Sequence, residues 1–90
     1  MTEQTRSRDS ARFAQSFAYR ERAIKHLAYG VSSTPRAHQL PVAVAIARGE
    51  GAHLIDIDGN HFIDYQLGYG PLILGHTPDA VIAAIRDALD

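Results

Sequence analysis

Phe13, Phe17, Ile24 and Leu27 recur at spacings that share one helical face, with Ala14, Ala18 and Ala28 beside them. The pattern predicts a helix from Asp9 or Ser10 to about Ala28, and Gly30 offers a stop. Residues 1–8 are polar and are expected as a disordered tail. The following Val31-Ser-Ser-Thr-Pro-Arg36 resists helix, because proline lacks an N–H and restricts its predecessor. It reads as a loop that displays Arg36 near its end.

Three short apolar runs come next. Val42–Ala47 (VAVAIA) is partly β-branched, Gly49-Glu50-Gly51 is a turn signal, and His53–Ile57 and Phe62–Tyr65 flank Asp58-Gly59-Asn60. That tripeptide is a strong hairpin signal. The expectation is an antiparallel three-stranded meander. A two-residue and a three-residue turn remain open, and they send different side chains inward. Residues 66–76 form a loop. In Thr77-Pro78-Asp79, threonine can cap, proline suits a first helical turn, and aspartate favours the positive end of the dipole. Val81, Ile82, Ile85 and Leu89 then form an apolar stripe on a helix over 77–90. The predicted class is α+β: N-terminal helix, antiparallel meander, C-terminal helix.

Ninety residues with 46% hydrophobic and 21% charged positions fit a small soluble domain or a piece of a larger one. A core this small is marginal, and no cysteine is present to staple it. Cysteine usage is compatible with a cytoplasmic location. The opening MTEQTRSRDS has no apolar run, so no secretory leader is expected, and no apolar stretch has membrane-span length. Residues 1–36 carry a net +4 and residues 37–90 a net −5. The basic positions are spread along a helix that also holds Glu21, without an aromatic or glycine-rich RNA signature. They read as a solvated face, and no nucleic-acid partner is expected.

Three features coincide in order and spacing: a GVSSTPR loop, a hairpin containing LIDIDGNHFIDY, and GYGPLILGH before a helix. Together they resemble the opening part of the class III aminotransferases, the fold-type I pyridoxal phosphate enzymes that include the glutamate-1-semialdehyde aminomutases. The resemblance covers about residues 20–90. It makes residues 9–90 an incomplete domain from the N-terminal segment of a chain several hundred residues long. It implies pyridoxal phosphate as cofactor, an amino-acid-like substrate, and a homodimer in the complete enzyme. It places the glycine-rich stretch by the active-site entrance.

The resemblance singles out Arg36, in the loop whose arginine binds the substrate carboxylate; a guanidinium suits that group through two parallel hydrogen bonds. Ser33 can assist with its hydroxyl, or can bond its own backbone. Tyr69 stands where the aminomutases usually carry tryptophan, a change that makes a related aminotransferase or mutase as good a match. Its ring would line the substrate channel, with Gly70, and Gly68 before it, keeping the backbone open. These enzymes hold the cofactor as a Schiff base on a lysine. The single lysine here, Lys25, lies on the first predicted helix and reads as solvated. The isolated chain is therefore expected to bind no cofactor covalently and to be inactive.

Other candidate chemistry is weaker. No carboxylate partner is evident for His76, which reads as structural. His26, His38, His53, His61 and His76 lack zinc spacing. Asp56-x-Asp58-x-Asn60 begins like a calcium loop, but His61 and Leu67 stand where glycine and glutamate are needed. Asp64 reads as a satisfied carboxylate at a strand end. A different class of function stays open: a non-enzymatic remnant or interaction module that binds a full-length relative through apolar helix faces.

Overall fold

The computed structural model describes residues 2–89, and they divide into two compact units. One runs to Ala45 and includes Asp56–Asn60; the other comprises Ile46–Ile55 and the chain from His61 onward.

In the first unit the single long helix is replaced by two. Helix α1 spans Glu3–Arg12 and α2 spans Ala14–Ala23. The helix thus starts six residues before Asp9, within the segment expected as a tail. Thr2 caps it, its hydroxyl accepting the Thr5 N–H at 3.3 Å. The break at Phe13 has a definite cause in the hairpin, 43 residues beyond Gln15. The carboxylate of Asp58 accepts the N–H of Gln15 at 2.7 Å and of Ser16 at 3.0 Å, groups that an unbroken helix would bond to its own carbonyls. The carbonyl freed at Arg12 accepts Asn60 Nδ2 at 3.0 Å. Asp58 thus caps α2 in place of Phe13, which offers no side-chain cap.

The same hairpin residues close the core of this unit. Ser16 is fully buried; its hydroxyl donates to Asp58 at 2.9 Å and accepts the Ala45 N–H at 3.3 Å. Among the described residues, Phe13, Ala23 and Val42 form the unit's buried hydrophobic core. Beyond Ala23 the helical face is lost, which leaves Ile24 and Leu27 exposed. Gly30 is therefore not the stop. It lies buried at φ +70°, and an added Cβ would lie 3.3 Å from the backbone nitrogen of Ile24. A short 3-10 turn over Thr34–His38 occupies the expected loop.

The sheet is three-stranded and antiparallel, in the order β1-β2-β3, with β1 Ile46–Glu50, β2 His53–Asp56 and β3 His61–Ile63. The first strand starts four residues later than expected, since Val42 is spent on the core, and Gly49-Glu50 are strand instead of turn. Ile55 pairs with His61 and His53 with Ile63. The hairpin register is the three-residue one. Asp56 N–H bonds the Asn60 carbonyl at 3.1 Å, Gly59 N–H bonds the Asp56 carbonyl at 3.1 Å, and Gly59 takes φ +84°. That is a type I turn closed by a left-handed glycine. The buried Asp56 fixes it, its Oδ1 accepting the N–H groups of Asp58 and Asn60 at 3.0 and 2.7 Å.

Helix α3 spans Asp79–Leu89 in the second unit. Its first bonds run to the Pro78 carbonyl, from Val81 and Ile82 at 3.0 Å each. Thr77 is not the cap that its residue type suggested: it sits one position earlier, at φ +47°, and gives its hydroxyl to the Gly49 carbonyl at 2.9 Å. No described residue of this unit is buried. Val81, Ile85 and Leu89 lie exposed along α3.

Candidate functional site

Arg36 and Ser33 share one turn of the first unit. Ser33 is half-buried and its carbonyl accepts the Arg36 N–H at 3.0 Å. Proline at the start of the 3-10 turn presets the backbone. The Arg36 side chain is exposed, so its five N–H donors face solvent.

Tyr69 and Gly70 share a second turn, in the other unit. Its backbone is unusual: Leu67, Gly68, Tyr69 and Gly70 have φ of 53°, 61°, 68° and 103°. Two of these four carry side chains that resist the left-handed region, at about 1–2 kcal/mol each. Bonds from Tyr69 N–H to the Gln66 carbonyl (3.0 Å) and from Gly70 N–H to the Leu67 carbonyl (3.1 Å) make a single left-handed turn. It holds the Tyr69 ring two-thirds exposed, and a Cβ on Gly70 would meet nothing within 4 Å. Backbone and ring are thus both open to an approaching group.

What holds this turn was not evident from sequence. Asp64 Oδ1 accepts the N–H groups of Gln66 and Leu67 at 2.8 and 3.1 Å, and its Oδ2 accepts Nε2–H of His76 at 2.7 Å. His76 therefore has a carboxylate partner, against the expectation from sequence. The imidazole bond, then the two backbone N–H groups, lower the Asp64 pKa against the effect of burial. The ring lies against Gly49, where a Cβ would come within 2.6 Å of it. The backbone of His76 pairs with Gly51 in both directions, at 2.8 and 3.1 Å. A cavity of about 340 Å³ adjoins, lined by Pro71–Pro78, Val81 and Ile82.

The residues present do not fit the implied cofactor. Lys25 is exposed in the turn after α2. Among the described residues no buried side-chain nitrogen or oxygen lacks a partner, so no orphaned donor set marks a phosphate cradle. The described residues hold no group of metal-ligating side chains either, and no helix among them is long and apolar enough to cross a membrane.

Comparison with known proteins finds relatives of the chain as a whole. The glutamate-1-semialdehyde 2,1-aminomutase of Haloarcula marismortui is 47% identical over 73 residues, 80% of this chain. The chain is a relative of the pyridoxal phosphate-dependent aminomutases and transaminases. It spans only 16% of that aminomutase. A β-phenylalanine aminotransferase from Variovorax paradoxus superposes with a TM-score of 0.81 at 26% identity, over 92% of this chain and 19% of its own. A transaminase with PLP bound superposes at 0.77 and 31% identity, over 86% of this chain and 18% of its own. No family model matches the chain. The fold is that of a segment from the N-terminal part of such enzymes.

Proposed function

We propose that this chain supplies the N-terminal segment of a pyridoxal phosphate-dependent aminomutase or aminotransferase that acts on an amino-acid-like carboxylate. The 47% identity to an aminomutase across 80% of the chain carries the proposal. Within it, Arg36 binds the substrate carboxylate, Ser33 assists through its hydroxyl, and Tyr69 and Gly70 form part of the channel wall. Exposed donors on Arg36 and an open backbone at Gly70 support those roles. The cofactor supplies the electron sink for moving an amino group and is held by residues outside this chain. The complete enzyme is a cytoplasmic homodimer without nucleic-acid or membrane partners. The isolated chain is inactive.

The test is a chimera in which this chain replaces the matching segment of the Haloarcula marismortui aminomutase. Turnover of glutamate-1-semialdehyde by the chimera, and none by the isolated chain, is expected. A folded, cofactor-loaded chimera without turnover of that substrate or of an amino-acid donor refutes the proposal. So does a stable, Lys25-dependent covalent adduct of pyridoxal phosphate on the isolated chain with activity of its own. The exposed apolar row Val81, Ile85 and Leu89 favours a second reading, a non-enzymatic module that binds a full-length relative. Co-purification with such a relative, with no effect of Arg36→Ala on turnover, would favour it.

A further inference from the structure

We infer that His76, acting through Asp64, is a positioning residue that sets the left-handed Leu67–Gly70 turn and so the placement of Tyr69. This rests on the reading that Tyr69 and Gly70 border a substrate site. The chain of contacts is continuous within one unit. Gly49 makes room for the imidazole, since any larger residue would drive a Cβ to 2.6 Å from the ring. Two backbone bonds to Gly51 and the Thr77 hydroxyl on the Gly49 carbonyl pin the segment around His76 to the end of β1. The ring then has one fixed donor, Nε2–H, aimed at Asp64 Oδ2 at 2.7 Å.

That bond leaves Oδ1 to collect the N–H groups of Gln66 and Leu67. Those are the two residues that enter the turn, and their carbonyls accept the N–H groups of Tyr69 and Gly70. Without an anchored carboxylate, the strained φ values at Leu67 and Tyr69 lose the bonds that offset them. Glycine at 68 and 70 lowers the strain but does not select this turn over others, because glycine accepts either sign of φ. The selection comes from Asp64, and the orientation of Asp64 from His76.

The experiment is two-dimensional NMR on the isolated 90-residue chain with His76→Ala and His76→Gln. The expected result is that His76→Ala moves the amide signals of residues 66–70 and speeds exchange at Tyr69 and Gly70, while the signals of α3 stay in place. His76→Gln, whose amide can donate to the same oxygen, restores them. Unmoved signals at 66–70 in His76→Ala, or no rescue by His76→Gln, overturn the inference. Should His76→Ala fail to fold, the wild-type ring decides. A protonated, slowly exchanging Nε2 is expected, and a bare Nε2 with the proton on Nδ1 overturns it. These readouts concern only the turn. They stand or fall separately from the substrate role of Tyr69, which a Michaelis constant in the chimera reports.

Discussion

Gly75 is the position where a single methyl group should do the most local damage. It sits at φ +80°, and an added Cβ would lie 2.7 Å from the Gly51 carbonyl oxygen and 2.9 Å from its carbon. Both obstacles are backbone, so neither can rotate away. The left-handed conformation costs alanine about 1 kcal/mol relative to glycine. Moving Gly51 also weakens its two bonds to His76, each with a net contribution of about 0.5–1.5 kcal/mol. Gly75→Ala should therefore lower stability by about 2–4 kcal/mol. With a urea dependence of about 1–2 kcal/mol per molar, the midpoint falls by about 1–4 M. The control is Gly70→Ala, also at positive φ, where the Cβ meets nothing within 4 Å. It should cost only the conformational term, about 1 kcal/mol. Urea unfolding followed by circular dichroism, on the two variants side by side, gives the difference. Equal midpoints would refute the steric argument and the Gly51–His76 pairing on which it rests.

Replacing Asp58 with alanine should fray the start of α2, and amide exchange at Gln15 and Ser16 should accelerate more than at residues 20–23. Unchanged protection there would contradict the capping role. Val42→Ala removes two methyl groups from a site only 1% exposed; thermal or urea unfolding should show a loss of about 2 kcal/mol. Asp58 and Asp64 both have lowered pKa values. At Asp58 desolvation opposes the shift, but bonds from Gln15 N–H and from Ser16 prevail; at Asp64 the His76 bond leads. Depressed carboxylates contribute stability that is present above their unfolded value, about 3.9, and is lost as pH falls through the lower folded value. Stability should thus fall as pH drops below about 4. Asp58→Asn with Asp64→Asn should flatten that slope in acid unfolding.

The hairpin was legible because Asp58-Gly59-Asn60 encodes its turn locally. Its register was not, because the choice depends on where the Asp56 side chain sends its oxygens. The helix break at Phe13 is invisible to periodicity. Phe13 and Phe17 are four apart in either case, and the carboxylate that divides the helices comes from residue 58. The apolar Val42–Ala47 run suggested a strand, but Val42 is taken by the core and pairing begins at Ile46. Tertiary demand overrode the local preference there. The Asp64–His76 bond was missed because the partners lie twelve positions apart along irregular chain. The usable signal was Gly49, a glycine inside a strand, which marks a close approach by another group. Arg36 and Tyr69 were singled out by resemblance, and nothing in their local pattern would have chosen them.

The most direct measurement is the Michaelis constant of the chimera with Arg36→Ala and with Arg36→Lys. A charge-assisted hydrogen-bond pair to a carboxylate contributes about 1.5–3 kcal/mol, so alanine should raise KM about 10- to 150-fold. Lysine should recover part of that, since it keeps the charge but not the fork. An unchanged KM for Arg36→Ala, in a chimera that turns over, would contradict the assignment of this loop to substrate binding.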